Sequence, residues 1–264
     1  MERVRKAPDV ATLAQVRQAC RELHLPTVGA RAEALAQEAT RGGETHLGFL
    51  AAVLEAECED RAERRRQRRL AEAHFPRLKR LADFRFDDAP TVPASLIAEL
   101  ATGGFIDRAE NVILIGDSGT GKSHLGIALG IEACMAARKV RFTTTAALVN
   151  ELLEARDDRT LSRVVARYAR VELLVLDELA YVPLAPAEAE LLFQVLDERT
   201  ELRSIVTSTN LPFGEWTTVF PEPRLCKALV DRLTFNAHIV ETGTESWRLR
   251  RSVERRRTSG KKTA

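Results

Sequence analysis

Val112-Ile113-Leu114-Ile115-Gly116-Asp117-Ser118-Gly119-Thr120-Gly121-Lys122-Ser123 decides the reading of this chain. Four apolar residues run into GDSGTGKS, which satisfies GxxxxGK[ST], and a helical pattern follows from His124 to Ala137. Strand, glycine-rich loop and helix form the context that lifts such a match above a chance turn. The glycines let backbone N–H groups turn inward around phosphate oxygens, and the start of the next helix adds the positive end of its dipole. The motif nominates Gly116, Asp117, Ser118, Gly119, Thr120, Gly121, Lys122 and Ser123 as a nucleotide-binding loop. Lys122 is expected on the β- and γ-phosphates and Ser123 on Mg²⁺.

Working outward, short apolar runs recur at 112–115, 140–143, 173–176, 205–208 and 238–240, separated by longer helical stretches. That alternation predicts an α/β fold with a central, mainly parallel sheet. The run at 171–176 ends in Asp177-Glu178. The C-terminal end of a buried parallel strand opens on the ligand crevice, so Asp177 is placed to hold Mg²⁺ and Glu178 to orient and polarise an attacking water. A solvated acidic strand end is the alternative. The run ending at Thr209 is followed by Asn210, which is read either as a sensor of the γ-phosphate or as a turn residue before Leu211-Pro212.

Upstream, residues 9–80 read as helical. Val10, Leu13, Val16, Cys20 and Leu23 share one spacing; Leu25 to Gly29 break it; a second helix is expected over 30–39. Thr45 can cap a third, with Leu47, Leu50, Ala51, Leu54 and Cys58 on one face, running on towards Pro76. The expected organisation is a small all-α domain over 1–80, a linker packing onto the next domain over 81–110, a nucleotide-binding domain over 111–250 and a basic tail over 251–264.

The chain has 264 residues and a formal net charge of only +2. Residues 61–80 hold nine Lys/Arg against two Asp/Glu, and residues 248–262 hold eight against one, which leaves −12 for the remainder. Such separation points to a polyanion partner. Arg61, Arg64, Arg65, Arg68 and Arg69 fall at i, i+3, i+4, i+7 and i+8, one stripe of a helix that can neutralise DNA phosphates without reading bases. A solvated face paired with Glu55, Glu59, Glu63 and Glu72, or a surface for a partner protein or a neighbouring subunit, are the alternatives. The stretch has no interleaved aromatics, which favours duplex over single-stranded DNA. Four scattered cysteines form no CxxC pair, no run reaches membrane-spanning length, and no secretory h-region opens the chain. A cytoplasmic location with no membrane partner is expected.

GDSGTGKSHLGIALG, ELLVLDELAYVPL, STNLPFGEWTTVF, ALVDRLTFNAHIV and GTESWRLR, with HLGFLAAVLEAECEDRAERRRQRRL before them, resemble the IstB-like ATP-binding proteins over nearly the whole chain. These are P-loop AAA+ ATPases that accompany bacterial insertion-sequence transposases and are similar to the DnaC helicase loader. The resemblance implies ATP and Mg²⁺ as cofactors, and duplex DNA, a cognate transposase and further copies of the chain as partners. It also implies that Asn210 is sensor 1, that Arg232 is an arginine finger acting in trans, and that Arg248 is a γ-phosphate contact in cis. Trp247 stands where relatives usually carry Tyr. The implied function is a transposition helper that oligomerises on duplex DNA, selects or deforms the target and recruits the transposase under control of ATP hydrolysis. A DnaC-like helicase loader, a non-hydrolysing nucleotide-locked scaffold and a small-molecule kinase are the rivals.

Overall fold

The computed structural model describes residues 10–244 and Ser246. The chain divides into two compact units after Gln67.

The first unit holds α1 (Val10–Glu22), α2 (Pro26–Gly42) and the greater part of α3 (His46–Glu72). Helix α2 starts earlier than expected, because Pro26 takes its first position, where a missing N–H costs nothing. Leu25 has no side chain to cap it. Glu57 of α3 does so instead, accepting from the N–H groups of Thr27 (2.8 Å) and Val28 (3.0 Å) and from Arg61 Nε (2.8 Å). Burial pushes the Glu57 carboxyl up, but those hydrogen bonds outweigh it and hold it below the ordinary carboxylate value.

This cap also decides which face of α3 is inside. Val53, Ala56 and Glu57 are buried, whereas Leu47, Leu50 and Leu54, the expected inner face, are 77, 49 and 46% exposed. The core comprises Cys20, Val28, Ala32 and Val53, with Val16, Leu25, Leu35 and Phe49 against it. The stability that Glu57 contributes is full above pH 4.5 and is lost as pH falls through its depressed folded value. Glu57→Ala is expected to cost about 3 kcal/mol, since Arg61 and two helix N–H groups lose their partner. Hydrogen exchange at Thr27 and Val28 between pH 3 and 7 checks this: the variant loses both the protection and its dependence on pH.

The second unit is built on β1 (Asn111–Ile115), β2 (Val140–Thr144), β3 (Leu173–Leu179), β4 (Ser204–Thr209) and β5 (Ala237–Glu241). They form one sheet in the order β2-β3-β4-β1-β5, every pair parallel. The helices are α4 (Ala94–Ala101), α5 (Gly104–Asp107), α6 (Lys122–Met135), α7 (Thr145–Asp157), α8 (Leu161–Ala169), α9 (Pro186–Asp197) and α10 (Pro223–Thr234). Both faces of the inner strands β1, β3 and β4 are covered, and of their residues all but Ile115 and Glu178 are buried, whereas the edge strand β5 buries only Val240. Val112, Leu114, Val175 and Val206 face α4 and α6, and Ile113, Leu174, Leu176 and Ile205 face the side of α7, α9 and α10.

Two expected boundaries move. Residues 68–80 belong to the second unit rather than to the helical domain. Leu70, Ala73 and Phe75 pack into its core, and Ala73 C=O accepts from Phe142 N–H of edge strand β2 at 2.8 Å. Residues 81–110 form a wall rather than a linker, burying Val92, Ile97, Leu100, Phe105 and Ile106. Their prolines and acidic cluster suggested a connector, but the apolar residues between them complete a layer. Arg199, fully buried, donates to the carbonyls of Tyr168, Val171 and Ser204 and so ties the end of α8 to the starts of β3 and β4.

Candidate nucleotide site

The strand order reverses beside β1, and the crevice at the C-terminal ends of β1, β3 and β4 collects the polar residues that follow each strand. The loop 116–121 leaves β1 and enters α6 at Lys122. Gly121 has φ +103°, and a Cβ there would stand 2.7 Å from the ring of Phe84, so only glycine fits. Asp117 N–H donates to Gly243 C=O (3.0 Å), and the Thr120 and Thr242 hydroxyls meet at 2.6 Å. The residues just past β5 therefore brace the loop from behind.

Lys122 is buried, and its Nζ donates to the carbonyls of Gly116 (2.6 Å) and Asp117 (2.7 Å), which holds its charge at the mouth of the loop. Ser123 Oγ donates to Asp177 Oδ1 at 3.0 Å. Asp177 is 8% exposed, whereas Glu178, the next residue, is exposed and lines the cleft beside the loop together with Lys122 and Ser123. The chain turns between them because Glu178 adopts φ +61° at a slip in β3–β4 pairing: Leu176 is level with Thr207, and Leu179 with Thr209. One extra residue of β3 is accommodated there, as in a β-bulge. Asn210 lines the cleft from the end of β4.

The cleft encloses about 360 Å³. Part of its lining comes from the segment read as a linker, Asp83, Phe84 and Arg85, with Lys79 just before it, and part from Glu178 and Tyr181. Phe84 meets the His124 ring edge-on at 5.3 Å, and His124 Nε2 is 2.9 Å from Arg80 C=O. Sequence reading gave that segment no role in the cleft. It also missed Ser208, 4% exposed, whose hydroxyl contacts Asp177 Oδ1 and accepts from Glu178 N–H. The only signal for Ser208 was its place two residues before Asn210.

Arg232 is not among the residues that line the cleft. Arg232 lies on α10, paired with Asp197 of α9 and 4.8 Å over the Phe193 ring. Arg248 lies outside the described residues. The arginine stripe is unequal. Arg61 is committed to Glu57 and His24 C=O, and Arg64 to Asp60, while Arg65 is exposed. In the second unit, Arg68 lies 3.9 Å from Glu72, and Arg69 turns inward, 17% exposed, donating to Ala137 C=O. Glu57 and Asp60, the acids that pair with Arg61 and Arg64, lie one helical turn before them. Among the described residues no helix is long and apolar enough to cross a membrane.

Residues 18–255 match the family model described as IstB-like ATP binding protein. An insertion sequence ATP-binding protein of Sinorhizobium fredii is 40% identical over 244 residues, which span 92% of this chain and 82% of that protein. The ATP-binding protein of insertion sequence IS5376 from Geobacillus stearothermophilus is 35% identical over 236 residues, 89% of this chain and 94% of its own. Among solved structures, AMPPCP-bound DnaA from Aquifex aeolicus aligns with TM-score 0.52 at 21% identity, over 62% of this chain and 49% of that one. DnaI aligns with TM-score 0.50 at 20% identity, over 61% and 89%. The nucleotide unit thus has the AAA+ fold, and the chain belongs to the IstB-like ATP binding protein family.

Proposed function

We propose that this chain is an ATP-dependent transposition helper that assembles on duplex DNA, selects or deforms a target, recruits a transposase and is reset by ATP hydrolysis. The observation that carries the hydrolytic reading is the convergence of Lys122, Ser123, Glu178 and Asn210 on one cleft, with the Asp177 carboxylate accepting from Ser123 behind it. The insertion-sequence names of the relatives support the biological role.

Ser123 Oγ and the Asp177 carboxylate are hard oxygen donors of the kind that suits Mg²⁺. When bound there, the ion neutralises charge on the β- and γ-phosphates. The loop N–H groups and Lys122 hold the phosphates. Glu178 orients a water in line with the γ-phosphorus and accepts its proton; the bond to the β,γ-bridging oxygen breaks, and ADP and phosphate leave. Asn210 helps hold that water, and Arg248 contacts the γ-phosphate in cis. Arg232, paired on its own surface away from the cleft, acts on the nucleotide of the adjoining copy, so hydrolysis depends on assembly.

Arg61, Arg64, Arg65 and Arg68 are the exposed members of the basic stripe; Arg61 is held by Glu57 and His24 C=O, and the other three are assigned to the DNA backbone. Particles imaged with a non-hydrolysable ATP analogue should form on duplex and not on single-stranded DNA. Absence of a nucleotide-dependent oligomer on duplex would refute the proposal. Replacing the three arginines with Ala should make the slope of log K against log salt shallower by about 2 to 3, because each lost phosphate contact removes roughly 0.9. An unchanged slope would free them from that role.

A further inference from the structure

We infer that Ser208 is a positioning residue that fixes both carboxylates of the site through a single hydroxyl; the inference rests on the hydrolytic reading above and deepens it. A hydroxyl has one proton to give and lone pairs to accept with. Glu178 N–H can only donate, and it donates to Ser208 Oγ at 3.0 Å. The Ser208 proton is therefore available to Asp177 Oδ1, with which the same Oγ is in contact. Direction along the chain is set: Glu178 N–H to Ser208, Ser208 O–H to Asp177.

Two consequences follow from the position of these groups. Between the Leu176–Thr207 and Leu179–Thr209 pairs, β3 carries one residue more than β4. A bulge removes the regular strand acceptor from a backbone N–H, which must find another. Ser208 supplies it to Glu178, the residue with φ +61°, a conformation that non-glycine residues adopt only when their surroundings enforce it. Without the hydroxyl, Glu178 can relax towards ordinary strand geometry, which would carry its carboxylate away from the water it must orient.

The second consequence concerns Asp177. Its Oδ1 receives two hydroxyls, Ser123 at 3.0 Å and Ser208. With its proton on Asp177, Ser123 Oγ presents lone pairs to the cleft, which is the orientation a cation requires. Ser208, only 4% exposed, holds the carboxylate that sets that orientation. Partners of this kind, one shell behind ligating groups, typically alter metal affinity or activity 10–100-fold.

The test uses the full chain with Ser208→Ala, Ser208→Cys, Ser208→Thr and Glu178→Gln. Two readouts are taken: steady-state ATP turnover with duplex DNA, and the gain in affinity for a non-hydrolysable ATP analogue on adding Mg²⁺, measured by calorimetry. Ser208→Ala and Ser208→Cys should lower kcat at least about 10-fold and shrink the Mg²⁺-dependent gain by a similar factor. Analogue affinity without Mg²⁺ should stay within about threefold, because the loop and Lys122 are untouched. Ser208→Thr, which keeps the hydroxyl, should stay close to the parent in both. Parental behaviour of Ser208→Ala beside an inactive Glu178→Gln would overturn the inference, as would Ser208→Thr no better than Ser208→Ala. Full turnover by Glu178→Gln would instead refute the hydrolytic reading itself.

Discussion

Glu178→Gln is expected to lower ATP turnover roughly 10²–10⁴-fold while leaving ATP affinity within a few-fold of the parent. Gln has the size of Glu and keeps one acceptor oxygen, so it can still contact a water. It has no charge with which to draw off that water's proton as the oxygen attacks phosphorus. Binding is expected to be insulated because the phosphate contacts are assigned elsewhere, to the loop N–H groups and to Lys122, whose Nζ is held by Gly116 and Asp117 carbonyls. The fold is insulated too: the Glu178 side chain is exposed, and the backbone bond to Ser208 is independent of it. The variant should therefore bind ATP, assemble and fail to reset. Turnover measured together with nucleotide affinity checks this, and unchanged turnover would favour a scaffold in which nucleotide only locks an interface.

Arg232→Ala is expected to have an effect as large or larger, about 10³–10⁵-fold on turnover, the range seen when an arginine that stabilises the transferring phosphoryl group is removed. Among the described residues, the Arg232 side chain makes a partly exposed ion pair with Asp197 and a stacking contact with Phe193. Those contacts are worth about 1 kcal/mol each or less. A purely structural arginine would thus cost a few degrees of melting temperature and little activity. Arg232→Lys should recover only part of the rate, since an ammonium keeps the charge but not the planar fork that engages two phosphoryl oxygens. Melting temperature and kcat, measured side by side for both variants, separate the two roles.

Much of the nucleotide unit was legible from local pattern. The five strands among the described residues fall on the predicted runs, because strands of a parallel sheet covered by helices carry short runs rich in Val, Ile and Leu. The loop was legible because phosphate binding by backbone demands glycines at fixed offsets. The errors have a common physical cause, which is that burial is decided by partners distant in sequence. Leu47, Leu50 and Leu54 are stronger apolar signals than Val53 and Ala56, yet they face outward, since Glu57 must reach the start of α2. Residues 81–110 look like a connector until Phe105 and Ile97 are seen to close a layer. Ser208 was invisible for the same reason: its meaning comes from a slip in strand register that no spacing in the sequence encodes.

The claim at the centre of this account is that the catalytic site is shared between copies, with Glu178 from one and Arg232 from the next. Mixing Glu178→Gln chains with Arg232→Ala chains on duplex DNA tests it directly. Each variant alone is inactive, but a mixed assembly contains interfaces where an intact Glu178 faces an intact Arg232. ATP turnover should rise well above the sum of the two separate preparations, towards about a quarter of the parental rate at equal mixing. A mixture no more active than that sum would contradict the claim.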